Sequence, residues 1–163
     1  MRVIADTSPL HYLVLIDHAV VLPALFGTIL IPPIVAEELQ HPRAPSPVRP
    51  WVSSRPPWLE VRPPRPTPEP PLLRLGAGER DAILLAREGS ADLRLMDDLA
   101  GREEAERRAF AVMGTLRVLE LAAERRLLDF PAAITKLQAT SFYLPVSLVQ
   151  DMLARDAARK RQA

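Results

Sequence analysis

The sequence predicts an α/β fold, a mostly parallel central sheet layered between helices, and three observations carry that prediction. Short runs rich in Val, Ile and Leu ("RVIA", "TILI", "LRLM", "AVM") read as strands, and "TILI" is continuously apolar rather than alternating, as strands covered on both faces are. Segments of helical periodicity separate them, which is the pattern of βαβ units. The chain has 163 residues, 48% hydrophobic and 25% charged, enough for one domain with a substantial core.

The first run, from Arg2, is a strand that ends in Asp6. "TSPLHYLVLID" then opens a helix, with Thr7 or Ser8 able to cap it and Pro9 suited to its first turn. From Ala19 to Ala36 there is no charge, over a length that approaches a membrane span. Pro23, Gly27 and the Pro32-Pro33 pair cut this stretch into a helix end, a turn and a buried strand, so no membrane segment is expected. Asp6 interrupts the N-terminal apolar run too early for a signal peptide. "IVAEEL" reads as helix.

Twelve of the 18 prolines fall between Pro42 and Pro71, a density that predicts a stiffened loop with "WLEV" (58–61) as an edge strand. "GERDAILLAREG" is an amphipathic helix with a stop at Gly89, and "LRLM" a strand. "GREEAERRAF" is a charged surface helix and "AVMGT" a further short strand. Three helices close the chain: "LRVLELAAERR", a segment near 131–141, and "VSLVQDMLARDAARKR". The whole of 1–163 reads as one domain, with C-terminal helices over about 131–161.

Composition excludes several chemistries. There is no cysteine, hence no disulfide, thiolate metal site or cysteine nucleophile, and a reducing cytoplasm fits. The net charge of +1 makes no case for nucleic acid, and although only Lys136 and Lys160 of the 21 basic residues are lysine, an arginine bias also follows from codon usage. His11, His18 and His41 lack metal-ligand spacing and are expected in core or surface roles. Gly76-Ala77-Gly78 has no following lysine, so it is no phosphate loop, and no Gly-x-Ser-x-Gly elbow exists.

The carboxylates are more informative. In an open parallel sheet, sites form outside the carboxyl ends of the strands, near the switch in strand order. Asp6 ends the first strand, and Asp97 and Asp98 end "LRLM". Glu37 and Glu38 follow the second strand, and Glu79 and Asp81 lie on the helix before "LRLM". Glu37, Glu79 and Asp92 read individually as solvated charges. A converging set repels itself unless protons or cations neutralise it, and hard cations such as Mg²⁺ or Mn²⁺ prefer oxygen ligands. A divalent metal is therefore the expected occupant.

In order along the chain, "VIADTSPL", "IPPIVAEEL", "GERDAILLA" and "LRLMDDLAGR" resemble the PIN-domain family, and "VMGTLRVLELA" resembles a prokaryotic branch close to VapC-type toxins of toxin–antitoxin modules. The resemblance implies a compact α/β/α fold with strand order 3-2-1-4-5 and a cytoplasmic Mg²⁺- or Mn²⁺-dependent endoribonuclease. It places the catalytic acids on Asp6, Glu38, Asp81 and, of the adjacent pair, Asp98 in preference to Asp97. The metal ligands implied are Asp6, Asp81, Asp97 and Asp98, with Thr7, Ser8, Glu37 and Thr115 in supporting positions. Expected partners are an RNA substrate, a small antitoxin protein and a second copy of the chain.

Three rivals are weighed against this reading. A phosphoacceptor receiver domain needs a lysine late in the sheet, whereas both lysines lie in the C-terminal helices. A haloacid-dehalogenase-type phosphatase needs a second Asp where Ser8 stands. The third is a catalytically silent PIN-like module that binds RNA or protein.

Overall fold

A computed structural model describes residues 1–65, 75–88 and 91–162. Five parallel strands form one sheet in the order β3-β2-β1-β4-β5. They are β1 (Val3–Ala5), β2 (Ile29–Ile31), β3 (Leu59–Val61), β4 (Leu93–Leu95) and β5 (Val112–Met113). The expected α/β/α class and strand order are both present.

The sheet's two faces are visible in its alternation. Val3, Ala5, Ile29, Ile31, Leu93 and Leu95 point into the larger core, while Ile4, Leu30 and Met96 point into a smaller one. β1, β2 and β4 are buried at every position, which is why their sequences are apolar except at Arg94 of β4. β3 is an edge strand, with Val61 half exposed.

The larger core is closed by α1 (Thr7–Leu15), α2 (Val21–Phe26), α3 (Pro33–Gln40), α4 (Val48–Ser53), α7 (Thr115–Glu124), α8 (Phe130–Gln138) and α9 (Val146–Gln162). The smaller core is covered by α5 (Ala77–Glu88), with α6 (Leu99–Arg107) packed on α5 and β5.

Two short helices stand where the sequence reading has turn and loop. In α2, Pro23 is the third residue, within the first turn, where a missing N–H costs nothing. Gly27 then stops the helix at φ 75°, a conformation open to glycine. In α4, Pro50 is likewise the third residue, and Val48 and Val52, four apart, bury against α3. The expected stop at Gly89 and the proline-rich residues 66–71 lie outside the described residues. Among the described residues no helix is long and apolar enough to cross a membrane.

Strand order reverses at β1. From β1 the chain steps outward through β2 to β3, then returns to place β4 on the other side. The crevice between the ends of β1 and β4 is the switch point, where sheets of this kind place their sites.

Candidate active site

Asp6 leaves β1 at that crevice, its N–H donating to Leu95 O at 3.0 Å. Its extended backbone (φ −83°, ψ 172°) makes it the N-cap of α1, yet its carboxylate makes no capping hydrogen bond. It is only 5% exposed. Burial pushes its carboxyl up to about 7, helped by the charges of Glu79, Glu38 and Asp97 and opposed by the Thr7 N–H.

The hydroxyls expected to cap α1 hold neighbouring acids instead. Thr7 Oγ1 donates to Glu38 Oε2, and Ser8 Oγ donates to Asp97 Oδ2 at 3.0 Å. Glu38 reaches the crevice from α3, which starts at Pro33 because proline's fixed φ suits a first helical position. On the far side, Thr115 opens α7, fully buried. Its N–H donates to Asp97 Oδ1 at 2.7 Å and its hydroxyl to Asp97 Oδ2 at 2.6 Å.

Asp97 and Asp98 separate sharply. Three bonds aim Asp97 into the crevice, whereas Asp98 is the N-cap of α6 and accepts from Gly101 N at 2.8 Å. A local backbone task thus occupies the acid preferred from sequence. Its charge still reaches the site, raising the Glu79 carboxyl together with burial, the larger cause.

Glu79, read from sequence as a surface charge, lines the pocket, and Asp81 does not. Glu79 is the third residue of α5 and reaches back to Gly76 N–H at 2.5 Å, half of a capping box. Asp81 lies two residues further round the helix, partly exposed, 3.7 Å from Arg80. Glu37 is exposed, its side chain turned away while Glu38 serves the site. Gly78 makes the approach of α5 possible. A Cβ there would sit 3.0 Å from Asp6 Oδ1, 3.0 Å from Glu38 Oε2 and 3.3 Å from Val35 Cγ2.

The result is a pocket of about 280 Å³ lined by Asp6, Thr7, Ser8, Glu38, Gly78 and Glu79, with Gly76, His11 and Tyr12 completing it. None of these side chains is a lysine or arginine. His11, expected in a core or surface role, is half-buried and lines this pocket. The signal was its place four residues after Thr7, one turn up the same face of α1.

Fold and pocket together define an acid-rimmed, doubly wound α/β domain with its site at the switch point. A family model described as a PIN domain matches residues 2–157, and the chain belongs to the PIN-domain family. Members of that family are generally nucleases and typically use divalent metals. No curated protein matches the chain.

The donor set suits such an ion in its chemistry, since every acid and hydroxyl in the pocket offers oxygen and, among the described residues, no cation offsets the buried Asp6. The spacing is wider than a coordination shell. Among the described residues no three acids or histidines converge closely enough to hold a metal. Glu38 and Asp97 rest on hydroxyls, and Glu79 on a backbone N–H.

Proposed function

We propose that the chain is a Mg²⁺- or Mn²⁺-dependent endoribonuclease, and that Asp6, Glu38, Glu79 and Asp97 are the acids that would hold the ion. The observation that carries this reading is Asp6, a buried carboxyl pushed up to about 7 among other acids in a pocket without a basic side chain. Such a group needs a proton or a cation, and a nuclease-type fold supplies the reason for a cation. Relative to the metal ligands expected from sequence (Asp6, Asp81, Asp97 and Asp98), Glu38 and Glu79 take the places of Asp81 and Asp98.

A bound divalent ion would lower the pKa of a coordinated water and stabilise charge that develops on phosphorus oxygens. The chain's own contribution is positional. Thr7 orients Glu38, Ser8 and Thr115 fix Asp97, and Gly78 leaves room between Asp6 and Glu38. Asp6 sits at the switch point and is central to the set.

The test is cleavage of a labelled single-stranded RNA by purified protein with Mn²⁺ or Mg²⁺, then with EDTA. Asp6→Asn is expected to abolish cleavage while the protein stays folded. Cleavage at the wild-type rate by Asp6→Asn, with contaminating nuclease excluded, overturns the reading.

We also propose that the chain is a toxin-type component that pairs with itself and with a small antitoxin. Val149 and Met152 of α9 are buried in this chain's core and Leu153 packs against it, but Val146 and Leu148 are exposed, 72% and 42%. These two are the part of α9 left for a second copy. Light scattering that finds only monomer at every concentration sinks the dimer.

A further inference from the structure

The acids account for one part of the pocket and leave His11 and Tyr12 without a task. Both lie on α1 one turn beyond the hydroxyls that orient the acids, His11 over Thr7 and Tyr12 over Ser8. Their rings are 4.8 Å apart at a 55° tilt. Tyr12 is held in place twice: Phe142 meets its ring edge-on at 4.9 Å, and its hydroxyl shares a 3.0 Å hydrogen bond with Ser141 Oγ. Among the described residues His11 has no such hydrogen bond, and it is half-buried, with part of its surface on the pocket.

We propose that His11, backed by Tyr12, is a stacking shelf that holds an unpaired nucleobase beside the acid rim. The proposal rests on the nuclease reading and names how its substrate is gripped.

Before any ion binds, a phosphodiester approaching this pocket meets Asp6, Glu38 and Glu79 and, among the described residues that line it, no lysine or arginine. Attraction must then come from something other than ion pairing with the pocket's own walls. A base face on an aromatic ring supplies it, and does so for any base, because every base has a π-face. Burial holds His11 below its ordinary pKa, so at neutral pH its ring is uncharged and stacks as a flat, weakly polar surface. Stacking also selects for single strands, since a base within a duplex already has both faces covered by its neighbours.

The probe is a labelled single-stranded RNA of about ten nucleotides, a length within the range one compact site engages. Its binding is followed by fluorescence anisotropy in EDTA at fixed salt, so that no cleavage intervenes. An abasic nucleotide is moved through the probe one position at a time. For the wild type, one position is expected to weaken binding about tenfold, within the range of a lost base stack. His11→Ala is expected to weaken the intact probe by a similar factor and to make the abasic substitution at that position immaterial. His11→Phe keeps a ring and should restore both the affinity and the dependence on the base. Thermal melts confirm that the variants fold.

No sensitive position, or equal losses in wild type and His11→Ala, overturns the shelf. Equal affinity for a duplex overturns it too. If His11→Ala binds the intact probe like wild type yet RNA is still cleaved with metal, the nuclease reading stands and the shelf is wrong. Wild-type protein that binds neither single-stranded RNA nor single-stranded DNA removes both. Equal binding of the DNA strand supports the shelf and counts against RNA as the substrate.

Discussion

Asp97 and Asp98 carry identical side chains one peptide apart, and backbone geometry gives them opposite tasks. Asp98 has extended dihedrals (φ −61°, ψ 131°) and sits where α6 begins, so its carboxylate satisfies an orphan N–H of the first turn. Asp97 exits β4 one residue earlier and meets Thr115 and Ser8. The sequence carries the pair but not the dihedral angles that divide it, which is why strand-end alignment favoured Asp98 although Asp97 is the one held by Thr115 and Ser8. Asp6 and Glu38 were legible because each follows directly from a strand or a proline-started helix. Glu79 was hidden by its helical surroundings, where a lone acid normally faces water. Asp97→Asn is expected to cut RNA cleavage severely with little loss of stability. Asp98→Asn, which still caps, should be the milder of the two in both respects, and Asp98→Ala should lower stability by about 1 kcal/mol. Cleavage rates and denaturant midpoints for the three variants check this, and a more severe loss of cleavage in Asp98→Asn than in Asp97→Asn reverses the assignment.

In helix α5 and strand β4, single positions decide how whole elements pack. Gly78 is the second residue of α5, so on propensity alone Gly78→Ala should stabilise the helix by less than the roughly 0.5–1 kcal/mol that holds for a helix interior. The added methyl would instead stand 3.0 Å from two carboxylate oxygens and 3.3 Å from Val35. The two effects oppose each other, and stability is expected to change by less than about 1 kcal/mol. Catalysis has no such compensation, and displacing Asp6 and Glu38 should lower cleavage by tenfold or more, since misplacements of about 1 Å can cost about a hundredfold. Unaltered cleavage by Gly78→Ala would show that α5 is free to retreat. In β4, Arg94 breaks an apolar run and is 1% exposed, its Cζ 3.1 Å from the Phe110 ring centroid. Among the described residues its three guanidinium nitrogens have no hydrogen-bond partner, and burial lowers its pKa to about 10. A cation over a ring recovers about 0.5–2 kcal/mol, less than the several kcal/mol that desolvating an ion costs. Arg94→Met is therefore expected to raise stability by about 1 kcal/mol or more, read from the denaturant midpoint. A comparable loss would mean that the guanidinium finds an acceptor in solution. The missed helices α2 and α4 belong to this scale as well: proline signals a break in sequence, but in the first turn of a helix it is no obstacle.

For the whole molecule, the acidic rim sets a conflict between folding and function that pH should expose. The α/β class was readable because the buried strands are short runs rich in Val, Ile and Leu, and the strand order followed from the family resemblance, whereas electrostatic coupling among acids far apart in sequence becomes visible only once the sheet gathers them. Asp6 has a folded pKa raised from 3.8 to about 7. Between about pH 4 and pH 7 the folded chain therefore keeps a proton at Asp6 that the unfolded chain has released. Stability falls as pH rises wherever the native state binds more protons, so this carboxyl costs nothing below about pH 4 and its full amount above about pH 7. Each unit corresponds to about 1.36 kcal/mol, which puts the ceiling near 4 kcal/mol. Glu79, raised in the same direction, steepens the trend. Asp6→Asn removes the titrating group and keeps its shape. Its stability advantage over wild type, measured by denaturant melts in EDTA, should be near zero at pH 4, grow through pH 5 and 6, and level off above pH 7. Adding millimolar Mg²⁺ or Mn²⁺ at pH 7.5 should shrink that advantage, because an ion that binds only the folded wild type stabilises it by mass action. A flat difference across pH would show that Asp6 is not confined among acids. A difference that varies with pH but ignores both metals would leave the rim without a cation, and the same acids would then be holding a proton in place of an ion.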